Sequence, residues 1–263
     1  MRSIVFSDAQ ELGEAVARII LERVEQAERA GRRCLLGCPS GRSPVSTYQA
    51  LGRMAAATEQ DLSHLVLVMM DEYVLRTADG FVCCPAHAHY SCHRFAEEQI
   101  VPVINAGLPP ARRLPPAQVW FPDPSDPAAY DAAIRAAGGL DLFLVATGAS
   151  DGHVAFNPPG SAADTATRII PLAESTRRDN MITFPDFTAL SDVPCWGVSV
   201  GLGTIADLSQ EVILLAHGAD KREAIARLSA CDDFDARWPA SIVYRCHNVR
   251  VMLDSAAAWS VVL

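Results

Sequence analysis

The chain alternates short, mostly apolar runs with longer segments whose apolar positions recur every three or four residues. The runs at 33–38 (RCLLGC), 65–70 (LVLVMM), 142–145 (LFLV), 195–200 (CWGVSV), 211–216 (EVILLA) and 249–253 (VRVML) have the length and continuity of buried strands. Between them, 7–31 predicts a helix with Leu12, Val16, Ile19, Ile20 and Val24 on one face, and Ser7 with Gln10 has capping-box spacing. A second helix is expected over 45–57, with Ser43 suited to its N-cap and Pro44 to its first helical position. Others are expected over 127–137 and 220–228, with a helical turn at 175–180 and a glycine-containing turn into a short helix at 201–207. Shorter strands are expected near 118–121 and 242–244, and an extended stretch at 165–172. Strands alternating with helices predict an α/β fold with a mainly parallel sheet covered on both faces. No repeat, low-complexity tract or linker interrupts it, so 1–263 reads as one domain.

Composition narrows the partners. The net charge is -9 at pH 7 with a pI near 5.2 and no basic block, which argues against nucleic acid and anionic membranes. The N-terminus has no apolar signal core, and the uncharged run 193–206 is too short and too glycine-rich to span a bilayer. A cytoplasmic protein is expected. Eight scattered cysteines in a chain this long read as reduced small hydrophobes rather than staples. Among 22 basic residues Lys221 is the single lysine, which sets it apart.

Three strand ends carry candidate chemistry. The run 142–145 leads through Gly148 to Asp151, Gly152 and His153, an acid and an imidazole where open α/β sheets hold ligands; a capped polar turn is the plainer alternative. Strand 65–70 delivers Asp71 and Glu72, a carboxylate pair suited to proton transfer or, more simply, to helix capping. Strand 33–38 runs into Pro39-Ser40-Gly41-Arg42-Ser43-Pro44, a turn before a helix N-terminus, which either binds an anion or merely starts a helix. Residues 76–95 hold Cys83, Cys84, His87, His89, Cys92 and His93. Their spacing fits no usual zinc site, and a loop beside the active site is expected, with His89, Tyr90 and His93 in reach of substrate.

Five collinear motifs together are more specific than any one: GCPSGRSP (37–44), MDEYV (70–74), SDGHVAFN (150–157), VPCWGVSVGLGTIAD (193–207) and GADK (218–221). In these the chain resembles the glucosamine-6-phosphate deaminase family, more closely than the related 6-phosphogluconolactonases, which carry Arg where Tyr73 stands. The resemblance implies a Rossmann-like three-layer α/β/α sandwich, shared with ribose-phosphate isomerase and CoA transferases. It implies a phosphorylated sugar as substrate, no metal or organic cofactor, and a possible homo-oligomer. By the same resemblance Asp71 is the base that moves a proton between C2 and C1 of the opened sugar. His153 opens the ring, Asp151 orients His153, and Ser40, Gly41, Ser43 and Lys221 hold the phosphate.

The chain also departs from that family. Pro158 stands where a carboxylate joins the Asp–His pair, and a proline can neither accept a side-chain hydrogen bond nor carry a proton. Ring opening is then impaired, or a residue of the His-rich loop substitutes. Arg42 replaces a small residue of the phosphate loop, and the family's phosphate-binding arginine falls at Ile182, or at Arg178 if a gap intervenes. Arg42 is expected to take over that contact or to read an extra anionic group on a different sugar phosphate, a surface arginine turned to solvent being the plainer alternative. Arg168 matches the allosteric phosphate site but Ile170 replaces its lysine, so no activation by amino-sugar phosphates is expected. An aldose–ketose isomerase, a lactonase and a non-catalytic sensor are the alternative functions.

Overall fold

In a computed structural model that describes residues 2–258, the chain runs β1 (Arg2–Phe6), α1 (Ala9–Arg29), β2 (Cys34–Cys38), α2 (Val45–Thr58), β3 (Leu65–Met69), β4 (Asp71–Thr77) and β5 (Gly80–Cys83). It continues through α3 (Cys92–Phe95), α4 (Val101–Ile104), β6 (Val119–Trp120), α5 (Pro127–Ala136), β7 (Leu142–Val145), β8 (Arg168–Pro171) and α6 (Glu174–Thr183). It finishes with β9 (Trp196–Ser199), α7 (Leu202–Leu208), β10 (Val212–Ala216), α8 (Arg222–Ser229) and β11 (Val249–Asp254). The main sheet is parallel throughout, in the order β1-β11-β10-β7-β2-β3-β6. Among the described residues no helix is long and apolar enough to cross a membrane.

The apolar runs are continuous because both sheet faces are covered. Along β7, Leu142 and Leu144 enter the core shared with α1 and α2, while Phe143 and Val145 enter the opposite core with residues of α5, α7 and α8. This is the expected parallel α/β architecture. The expectation had no place for β1, which is short and sits at the sheet edge beside β11.

The chain also builds a second sheet, and the expected extended segments 165–172 and 195–200 supply two of its strands, β8 and β9, instead of joining the parallel sheet. This second sheet is antiparallel, in the order β5-β4-β9-β8, and covers a small core of Tyr73, Cys84, Phe156, Ile170 and Leu172. Thus the strand ending at Met69 does not stop at Asp71. It turns directly into β4, where Asp71 pairs with Ser199. Ile170, which stands where the resemblance would place a lysine, is buried in that small core.

Several local expectations are corrected. Asp8, not Ser7, caps α1, accepting from the N–H groups of Gln10 (2.9 Å) and Glu11 (2.8 Å), while Ser7 donates to Glu11. Ser43 does not cap α2: Pro44 occupies that position without a side-chain bond. Residues 242–244 lie in a 3-10 segment, Pro239–Arg245, instead of a strand. Between α3 and α4 the helix is π-wound over Ala96–Ile100, next to Pro102, which lacks the N–H that an α-turn would use.

Candidate active site

Four neighbouring strands deliver the site from their carboxyl ends: β2 into 39–43, β3 into Asp71, β7 into 146–153 and β10 into 217–221. β7 lies between β2 and β10, where the strand order changes direction, the usual place for a ligand in such a sheet. These loops and α6 line a cavity of about 390 Å³ in which Ser40, Gly41, Arg42, Ser43, Asp71, His153 and Lys221 meet. Asp151, buried behind His153, reaches it through that imidazole.

Asp71 is only 5% exposed, and its Oδ1 accepts from the Cys92 thiol at 3.4 Å. Burial pushes its carboxyl pKa up to about 7; the thiol opposes the rise and the charge of Glu72 adds to it. Its neighbour Glu72 behaves oppositely. Fully buried, it accepts from the N–H groups of Tyr73, Cys92 and His93, the Ser91 hydroxyl, the Cys84 thiol and the His93 ring. Burial alone would raise its pKa, but those donors outweigh it and hold the carboxyl below its usual range. The pair therefore divides into one carboxylate facing the cavity and one that ties the 84–93 segment to β4.

This division disposes of the His-rich segment as a substrate loop. His93 is held by Glu72 (Nδ1 to Oε2, 2.7 Å) and stacks on Phe121 at 3.6 Å. His89 and Tyr90 pack on Phe187. None of the three lines the cavity; the segment reaches it through Cys92.

Two glycines make room for the Asp–His pair. A Cβ on Gly148 would lie 2.2 Å from His153 Nδ1, and Gly152, at φ +68°, leaves no space against the Trp238 ring. His153 Nδ1 lies 2.7 Å from Asp151 Oδ1, and the His153 N–H donates to the same oxygen. Burial raises the Asp151 pKa, but the His153 ring and backbone donors and Ser175 more than offset it, so Asp151 stays ionised. An ionised carboxylate can only accept, so Nδ1 carries the proton and Nε2 is left for chemistry.

Pro158 does not line the cavity. Among the described residues none of the His-rich segment hydrogen-bonds to Asp151 or His153, so the second of the two expected outcomes, a substitute from that segment, is not met. The Asp–His pair is instead met by hydroxyls from the start of α6: Ser175 donates to Asp151 Oδ2, and Thr176 Oγ1 lies 3.3 Å from both Asp151 Oδ2 and His153 Nδ1. The sequence reading missed these two; a Ser-Thr pair opening a helix is a visible signal, but its partner lies more than twenty residues away.

At the other end, Lys221 Nζ donates to the Thr147 carbonyl at 2.7 Å, and burial pushes its pKa down. Arg42 is exposed at the rim, close enough for its charge to depress Lys221 further, and among the described residues no hydrogen bond or ion pair holds its guanidinium. Ile182 lies at the same rim, 64% exposed, whereas Arg178 is bound to Glu174 and does not line the cavity. Arg168 points elsewhere, to the Ala166 carbonyl and the Ser161 hydroxyl. Asp151, His153 and Asp179 bring ligating atoms within 4.8 Å of one another, yet all three residues already carry hydrogen bonds, Asp179 from Ser150. All eight cysteines are free thiols.

Comparison with known proteins shows the family and the fold. The sequence model of the family described as glucosamine-6-phosphate isomerases/6-phosphogluconolactonase matches residues 7–253. A glucosamine-6-phosphate deaminase of Shouchella clausii (strain KSM-K16) is 32% identical, covering 98% of this chain and 96% of its own. One from Pseudarthrobacter chlorophenolicus is 35% identical, covering 98% and 92%. Among solved structures, a monomeric glucosamine-6-phosphate deaminase superposes with a TM-score of 0.83 at 24% identity, over 98% of this chain and 99% of that one. The 6-phosphogluconolactonase of Trypanosoma cruzi follows at 0.71 and 19%, over 100% and 97%. Both superpositions speak for a common fold.

Proposed function

The chain belongs to the family of glucosamine-6-phosphate isomerases and 6-phosphogluconolactonases, and on that footing we propose that it is a sugar-phosphate isomerase/deaminase. It converts a 2-amino-2-deoxyhexose 6-phosphate, glucosamine-6-phosphate or a close relative, to the ketose 6-phosphate and ammonia. The observation that carries the reading is the meeting of a buried carboxyl poised near pH 7, an oriented imidazole and the single lysine in one cavity.

In this reading Lys221, Arg42 and the 40–43 loop hold the phosphate. His153 Nε2, with Asp151 keeping Nδ1 protonated, takes the proton of the C1 hydroxyl and passes it to the ring oxygen as the C1–O5 bond breaks, which opens the pyranose to the aldehyde. Asp71 then removes the C2 proton and returns a proton to C1, giving the ketose imine; water adds and ammonia leaves. Ser175 and Thr176 supply part of the orientation that a carboxylate at 158 would give. The eight free thiols suit a cytoplasmic protein.

A buried Asp71 also argues against a lactonase, because lactone hydrolysis needs an activated water and no proton shuttle between carbons. Assays on both substrates decide: ammonia released from glucosamine-6-phosphate in step with ketose supports the proposal. Hydrolysis of 6-phosphogluconolactone without ammonia release would overturn it.

A further inference from the structure

Cys92 touches Asp71 and is not needed by the scheme above. It opens α3, is 1% exposed, and is fixed by its own N–H, which donates to Glu72 Oε1 at 3.0 Å. Its sulfur lies 3.4 Å from Asp71 Oδ1 and 3.4 Å from Ser40 Oγ in the phosphate loop. A thiol has one proton, and an ionised Asp71 can only accept. The contacts therefore run in one direction: Ser40 donates to the sulfur, and the sulfur donates to Oδ1. Among the described residues no other side chain or backbone group hydrogen-bonds to the Asp71 carboxylate.

We propose that Cys92 is a positioning residue for Asp71: its thiol pins Oδ1, leaves Oδ2 for the substrate, and sets the pH at which the carboxylate takes up a proton. The residue type matters because a thiol is a weak donor. A hydroxyl or amide in its place would stabilise the carboxylate more and make it a poorer base; no donor at all would leave it free to turn. The other titratable groups around Asp71 are Glu72 and Tyr73 on β4, Tyr130 on α5, and His153 and Lys221 across the cavity. Glu72 is held ionised by its donors and contributes a constant charge.

The inference rests on Asp71 being the base, and its test separates the two. Protein carrying carboxyl-labelled aspartate is titrated by carbon NMR, with the residue 71 signal assigned by its loss in Asp71→Asn, alongside pH profiles of kcat/KM on glucosamine-6-phosphate. In Cys92→Ser the Asp71 midpoint and the acid limb both move to lower pH, and in Cys92→Ala both move to higher pH. Taken relative to each plateau, the serine variant is about threefold more active than wild type at pH 6 and the alanine variant about threefold less. A merely structural cysteine would lower the plateau and leave the midpoint in place; an unmoved Asp71 midpoint in the serine variant overturns the inference. NMR midpoints that shift as stated in a protein without turnover would uphold the role of Cys92 and reject Asp71 as the base.

Discussion

Ser175 donates its hydroxyl to Asp151 Oδ2, the carboxylate oxygen that His153 leaves free. With Thr176 beside it, the start of α6 meets the Asp–His pair with two hydroxyls. If these hydroxyls orient the pair, removing both lowers kcat and spares KM. Hydrogen bonds to charged groups contribute about 1.5–3 kcal/mol. The double variant Ser175→Ala, Thr176→Val should therefore lose roughly tenfold or more in kcat, with KM nearly unchanged. Steady-state kinetics would show the split; an unaffected kcat removes both residues from the mechanism.

Arg42 and Lys221 should act on substrate binding. Arg42→Ala is expected to raise KM for a phosphorylated sugar about tenfold with kcat little changed, and Lys221→Met to raise it at least as much. Because Arg42 is exposed, added salt should shrink its share more than that of Lys221. An Arg42→Ala variant with wild-type KM for every sugar phosphate tried would return this arginine to the ordinary surface.

Asp71 costs the fold stability when it is ionised. Its folded pKa, about 7, lies above its unfolded value, so the fold favours the protonated form. The stability associated with it is present below the ordinary carboxyl range and is lost as pH rises through about 7. Asp71→Asn, neutral throughout, should match wild type near pH 4 and exceed it at pH 8 by roughly 2–4 kcal/mol. Urea unfolding at both pH values checks this. An advantage that did not grow with pH would mean that Asp71 is not desolvated.

Glu72 should be structural. Glu72→Ala strands several buried donors at once, from Tyr73, Ser91, Cys92 and His93, and is expected to cost about 3 kcal/mol or more in urea unfolding. Since the same segment carries Cys92, its loss should also disturb the Asp71 titration.

The parallel sheet was legible because burial on both faces writes itself into the chain as unbroken apolar runs, as in LFLV and LVLVMM. The ends of those runs pointed to Asp71 and His153, Lys221 stood out as the single lysine, and the structure brings all three to one cavity. Of the small antiparallel sheet, the segments of β8 and β9 were legible as extended, but their separate pairing was not, because β4 begins immediately after β3 and one apolar run merges into the next element. The division of labour between Asp71 and Glu72 was also hidden. It is set by where α3 docks, and nothing in the local sequence D-E-Y-V tells the two carboxylates apart. Likewise Ser175 and Thr176 gain their meaning from packing against residues 151 and 153, a contact that spacing along the chain does not encode.

The most direct test of the account is glucosamine-6-phosphate turnover in heavy water, read by proton NMR of the ketose and by ammonia release, for wild type and Asp71→Asn. The account predicts ammonia and ketose in equal amounts, with solvent deuterium entering one C1 position, and a loss of roughly a hundredfold or more in the variant. Undiminished ammonia release by Asp71→Asn, or none from the wild-type protein, would contradict it.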